Sequence, residues 1–234
     1  MPEGNRRSGR GRASLWRVEA EQRVRAALRR YRRPLLGLVT RAAYETETRA
    51  FVREFLTEAL GFGDEALDRP AMDTRADYGL RVGTDIVALV EIRRVATRLK
   101  APRSRQLRAT APVSWLVLTN AVEWHLYHVD ALAGTPATEA PPIIEVDLLA
   151  PLALAKKAAV LAHLTRESFE HGGTDSLLVA QRALSPDSLS AAVTSVGVLR
   201  AIQRELRRKT GQQIETKAIA EAVRAILSAP PPPP

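Results

Sequence analysis

Ala76-Asp77-Tyr78-Gly79-Leu80, then Gly83-Thr84-Asp85, then Ile86-Val87-Ala88-Leu89-Val90-Glu91-Ile92-Arg93: these three runs decide how the chain is read. The first is short and strand-like, the second supplies turn residues, and the third is a β-branched stretch of the kind found in central strands. Asp77 and Glu91, 14 residues apart, therefore fall in or beside neighbouring strands. Two carboxylates delivered in this way can hold a hard divalent cation against a phosphodiester. Side chains alternate along a strand, so Arg93, two places after Glu91, points to the same side.

Upstream, residues 1–13 are rich in Gly, Arg and Ser without an apolar period and are expected to be a disordered basic arm. From the capping residue Ser14, the spacing Leu15, Val18, Val24, Ala27, Leu28, Tyr31 predicts a basic amphipathic helix that stops before Pro34, with a linker to residue 43. Phe51, Val52, Phe55, Leu56, Ala59 and Leu60 predict a second helix, ended by Gly61 and Gly63. Downstream, Trp115 to Thr119 and Trp124 to Val129 flank Asn120-Ala121-Val122-Glu123 as a hairpin, and Ile143 to Leu149 reads as one more strand. Helices are expected near 151–169, 187–209 and 214–228, followed by a polyproline tail over 229–234. The order of elements predicts an α/β (α+β) core over residues 44–150 with a C-terminal helical region over 151–228.

Charge is unevenly placed. Residues 1–43 hold 12 arginines against three acids, which accounts for the whole net charge of +9. Arg6, Arg7, Arg10, Arg12, Arg29, Arg30, Arg32 and Arg33 are candidates for neutralising phosphates and releasing counterions. A solvated arm is the competing explanation of the same residues. With no cysteine, disulfides, thiolate zinc sites and cysteine nucleophiles are excluded. No apolar run is long enough to cross a bilayer, so a cytoplasmic location without membrane contact is expected, with an Arg-rich targeting leader as the alternative.

Glu45-Thr46-Glu47-Thr48-Arg49 through Leu60-Gly61-Phe62, Ala76-Asp77-Tyr78, Val90-Glu91-Ile92-Arg93, Gln106-Leu107, and Leu118-Thr119-Asn120 with Trp124 to Tyr127 together resemble a known domain. It is the nuclease domain at the N-terminus of type I restriction enzyme R subunits, and more closely its free-standing prokaryotic and phage relatives. The resemblance spans roughly residues 44 to 170 and omits the arginine-rich arm. It implies the PD-(D/E)XK fold, a restriction-endonuclease-like mixed central sheet flanked by helices. The implied reaction is hydrolysis of DNA phosphodiester bonds with Mg²⁺, or Mn²⁺ in its place. Restriction-system subunits are the implied partners. Carried over residue by residue, Asp77 and Glu91 match the metal-binding acids, and the backbone carbonyl of Ile92 a further ligand. Arg93 falls where the family has its lysine, Gln106 matches the glutamine of a Gln-x-x-x-Tyr motif, and Glu45 matches the acid of the first helix.

Three positions depart from that pattern. Arg93 keeps its proton near neutral pH, so it cannot act as a base in the way a neutral lysine can. Thr110 replaces the motif tyrosine, and Ala121 stands where glycine usually follows Thr-Asn. Each candidate also has a purely structural explanation. Asp77 can start a strand, Glu91 can pair with Arg93 or Arg94, Gln106 can face solvent, and Glu45 can be a first-turn acid favoured by the helix dipole. An active Mg²⁺-dependent endonuclease and a non-cleaving nucleic-acid-binding or interaction module both remain open.

Overall fold

The computed structural model describes residues 8–68, 76–100, 113–129 and 141–228. The chain divides into two compact units, residues 1–177 and 178–234.

The first unit opens with α1 (Ser8–Thr40) and α2 (Glu45–Glu58). It continues through β1 (Leu67–Asp68), β2 (Tyr78–Val82), β3 (Asp85–Ile92), β4 (Trp115–Thr119), β5 (Glu123–His128) and β6 (Ile144–Asp147). Then come α3 (Leu154–Leu161), α4 (Arg166–Glu170) and α5 (Gly173–Ala183), the last carrying the chain into the second unit. The six strands form one mixed sheet in sequence order. All neighbours are antiparallel except β3 and β4, which run parallel and so need the long crossover through residues 93–114.

The expected alternation is realised in the sheet. Trp124 is fully buried and meets Phe55 of α2 at 5.2 Å, while Tyr127, an odd number of residues along, packs with Leu89, Leu116, Leu118, Leu99 and Val113. Gly83-Thr84 closes the β2–β3 hairpin, with Val82 opposite Asp85 and Gly83 at φ +59°. The β4–β5 hairpin is set by Asn120, whose Oδ1 accepts the N–H groups of Val122 (3.0 Å) and Glu123 (2.7 Å). Between them Ala121 adopts φ +75°, a left-handed conformation in which glycine is at ease and alanine is not.

Several expectations are corrected. The backbone is helical from Ser8, within the stretch expected to be a disordered arm, and α1 passes straight through Pro34. An interior proline costs about 3 kcal/mol, but Leu35 and Leu38 beyond it are 2% and 5% exposed, and burying each contributes about 1.5–3 kcal/mol. Packing therefore outweighs the break. Ala20, Val24, Ala27, Leu28 and Tyr31 are also buried, so α1 belongs to the core of the first unit. The helical region expected over 151–228 contributes α3 and α4 to this same unit.

The second unit contains α6 (Pro186–Val193), α7 (Val196–Thr210) and α8 (Thr216–Ser228). The single helix expected over 187–209 is broken at Thr194-Ser195, where Thr194 Oγ1 bonds back to the Ser190 carbonyl at 2.7 Å. Leu199, Ile219 and Ala220 form the centre of this unit, with Ile202, Leu206 and Val223 around them. Among the described residues no helix is long and apolar enough to cross a membrane.

Candidate active site

Glu45 opens α2, and Arg49 lies one helical turn later on the same face. The Arg49 guanidinium bonds both Glu45 Oε1 (2.9 Å) and Asp77 Oδ1 (2.6 Å). Asp77 in turn straddles Glu91 along the end of β3. Its backbone N–H donates to the Val90 carbonyl (2.7 Å), and its Oδ2 accepts the Ile92 N–H (2.7 Å). The Glu91 carboxylate is paired with the Arg93 guanidinium. Glu45, Asp77, Glu91, Ile92 and Arg93 thus come together at one rim of the sheet.

The rim is anchored by the residues that follow it. Arg94 does not pair with Glu91. It donates to the carbonyls of Ala42 (2.7 Å) and Ala43 (3.2 Å), closing the end of α1. The Val95 N–H donates to Thr48 Oγ1 (3.2 Å) in the buried side of α2, and the Arg93 N–H donates to the Thr119 carbonyl (2.8 Å) of β4. Three elements are therefore held to Arg93–Val95, the tripeptide that follows the end of β3 just past the second acid. Gln106 and Thr110 lie outside the described residues.

Exposure separates the charges. The side chains of Asp77 and Glu91 are 11% and 7% exposed, whereas Arg49 and Arg93 are 40% and 42% exposed. Asp77 and Glu91 are thus less exposed than the guanidiniums that pair with them, while the third acid of the rim, Glu45, is 57% exposed. Sequence reasoning missed Arg49, although its place four residues after Glu45 is the ordinary signal for a helical ion pair.

Two carboxylates and a backbone carbonyl are oxygen donors of the kind a hard dication takes. The rim sets the acids Glu45, Asp77 and Glu91 against the guanidiniums of Arg49 and Arg93. Any such ion competes with Arg49 for Asp77 and with Arg93 for Glu91. Among the described residues no group of three or more His, Asp or Glu side chains is arranged around a common metal position, so Asp77 and Glu91 would carry the binding.

A second polar group lies on the same strand row, which runs Glu91, Leu118, His125, Glu145 across β3 to β6. His125 is buried, with Nδ1 3.2 Å from the Tyr127 hydroxyl and Nε2 3.7 Å from Glu145 Oε1. Burial holds its pKa below the usual histidine value against the pull of Glu145 and Glu123. Burial and Glu145 together push Tyr127 up to about 12. His128 faces away, edge-on to Trp115 at 5.0 Å, as its odd spacing from His125 requires.

The basic tract resolves into two kinds of arginine. Arg23 makes a two-point pair with Glu167 (2.6 and 2.7 Å), Arg41 pairs with Glu47 (2.8 Å), and Arg30 pairs with Glu58 while lying over the Tyr31 ring. Arg30, expected among the nucleic-acid contacts, is thus engaged within the fold. Arg29, Arg32 and Arg33 are exposed on α1. Arg10 and Arg12 fall on its helical backbone, and Arg6 and Arg7 lie outside the described residues.

No family model, no curated protein and no solved structure matches this chain.

Proposed function

We propose that the protein is a restriction-endonuclease-like nuclease that binds DNA in the cytoplasm and hydrolyses its phosphodiester bonds with Mg²⁺, at a reduced rate. The observation that carries this is the placing of Asp77 across Glu91 at the sheet rim, with Arg93 two residues on. The mixed sheet flanked by helices also agrees with the architecture that the resemblance to restriction-enzyme nuclease domains implies.

Asp77 and Glu91 would hold the cation, with the Ile92 carbonyl as a further ligand. A bound divalent ion supplies charge stabilisation and lowers the pKa of water beside the phosphate. The chain's own residues do the rest. Arg93, protonated throughout, offers a planar donor fork for a non-bridging phosphate oxygen. It steadies charge that develops in the transition state, but it takes no proton from water. Losing a positioned acid–base group costs roughly 10²–10⁴ in rate, which is why slow turnover is expected. Arg49 holds Asp77 aimed along the rim through its 2.6 Å contact. The exposed arginines of α1 supply affinity for the DNA backbone that does not depend on sequence.

A second reading has an observation of its own. Both oxygens of Asp77 are already engaged, by Arg49 and by the Ile92 amide, and Glu91 is held by Arg93. This favours a non-cleaving nucleic-acid-binding module whose acids serve the fold. Incubation of supercoiled plasmid with the protein and Mg²⁺ or Mn²⁺ decides between them. Nicking that disappears in Glu91→Ala and rises in Arg93→Lys supports the nuclease. Intact DNA binding without nicking in either wild type or Arg93→Lys supports the module.

A further inference from the structure

Helix α7 carries five basic residues, Arg200, Arg204, Arg207, Arg208 and Lys209, against the single acid Glu205. Its apolar residues Leu199, Ile202 and Leu206 pack against Ile219, Ala220 and Val223. At about 100° per residue, Arg200, Arg204, Arg207 and Arg208 fall within an arc of about 100° on the opposite side. All four are exposed. Glu205 is taken by Arg208 (2.7 Å) and Lys209 (3.5 Å). Among the described residues no acid pairs with Arg200, Arg204 or Arg207. The helix therefore presents three uncompensated guanidiniums along roughly 10.5 Å of its axis, at 1.5 Å rise per residue. One strand of duplex DNA advances about 3.4 Å per phosphate, so this stripe covers about three phosphate-to-phosphate steps, enough for its arginines to reach separate phosphates.

We infer that α7 is a DNA-backbone-binding element, in which Arg200, Arg204 and Arg207 contact separate phosphates of a duplex. This rests on the DNA-directed function proposed above and adds to it a site apart from the α1 arginines. Three features favour a polynucleotide over other anions. Arginine's planar fork engages phosphate oxygens in pairs, and the stripe is arginine throughout. A helix that lies in a bilayer inserts its apolar face, but the apolar face of α7 is already spent on α8. Gly197, one turn before Arg200, and Ala201, at the edge of the arginine arc, are small and leave the helix backbone free to approach a rod-like polyanion closely.

The test uses the full chain and a fluorescent 20-base-pair duplex, with anisotropy titrations over a series of salt concentrations. Arg200→Ala/Arg204→Ala/Arg207→Ala is expected to weaken binding uniformly across duplex sequences and to reduce the slope of log K against log salt by about 3, roughly one per lost phosphate contact. The triple lysine variant is expected to recover most of that slope, because charge is restored. If wild type binds duplex and the alanine variant binds with the same affinity and slope, the assignment of α7 is wrong while the DNA-directed function stands. Absence of any salt-dependent DNA binding by wild type overturns both. Binding to phosphatidylserine vesicles that the alanine variant loses, with DNA binding untouched, overturns the assignment in favour of a membrane surface.

Discussion

The sheet rim and helix α7 handle charge in opposite ways. At the rim Asp77 is answered by Arg49 and Glu91 by Arg93 from within the fold, and these two acids lie nearly buried beside more exposed guanidiniums. On α7 the one acid is taken by its neighbours, and three arginines are left facing solvent. Charges answered internally fix geometry, so changing them disturbs the fold and the chemistry together. Charges left unanswered cost the fold little to keep or lose, and their consequence appears only when a partner of opposite sign arrives.

The strongest way to break this contrast is chemical. Glu91→Ala is expected to lower Mg²⁺-dependent plasmid nicking by at least about 10², within the range for losing a positioned catalytic group, while duplex binding by anisotropy stays as in wild type. Cleavage that survives the substitution would remove the rim from the reaction altogether.

Stability gives the next measure. Asp77→Ala strands the Ile92 N–H and leaves Arg49 with Glu45 alone. Hydrogen bonds to charged groups contribute about 1.5–3 kcal/mol each. With Arg49 40% exposed, its share is discounted for solvent screening, so a loss of about 1–3 kcal/mol is expected in urea unfolding. The triple alanine variant of α7 should stay within about 0.5 kcal/mol of wild type, as exposed substitutions do. Equal losses in the two variants would dissolve the distinction between them.

A pH series sharpens the rim from its other end. His125 has a depressed folded pKa because it is buried, so the unfolded chain takes up its proton more readily than the folded one. Its contribution is complete above the unfolded value of about 6.5 and is lost as pH falls from there toward the folded pKa. Urea midpoints should therefore decline from about pH 6.5 downward, and His125→Gln should make that decline shallower. An identical pH profile for the variant would show that His125 does not titrate against the fold.

The smallest effect concerns the junction that presents Glu45. Ala42 holds φ +49° in an exposed position, and its carbonyl receives Arg94. A left-handed alanine costs about 1–2 kcal/mol, whereas glycine loses about 0.5–1 kcal/mol through its unfolded-state freedom. Ala42→Gly should thus raise stability by about 0.5–1 kcal/mol in urea and leave DNA affinity unchanged. Ala121→Gly offers less, because the Ala121 methyl is fully buried and its burial would be lost.

Much of this was readable in advance where the deciding forces are local. The two hairpins, the helix over Phe51 to Leu60 and the acid pair follow from turn residues, apolar spacing and strand alternation, each fixed within a few residues of its neighbours. The Thr-Asn-Ala turn illustrates this, since Asn120 bonds the backbone two and three residues on. The cases that failed involve distant partners. Pro34 predicts a stop, yet buried Leu35 and Leu38 carry α1 through it. Net charge placed every excess arginine near the start, because acids elsewhere in the chain cancelled those of α7 in the sum.

By itself the sequence determined which residues would alternate, which would turn and where two acids would fall along neighbouring strands. Only the tertiary structure decided which cations answer those acids, since Arg49 reaches Asp77 from a helix 28 positions earlier in the chain. It also decided that Arg30 is engaged while Arg200 is not. The physical reason is range. Backbone preference acts over a few residues, whereas ion pairing depends on distance in space, which folding sets and chain position does not.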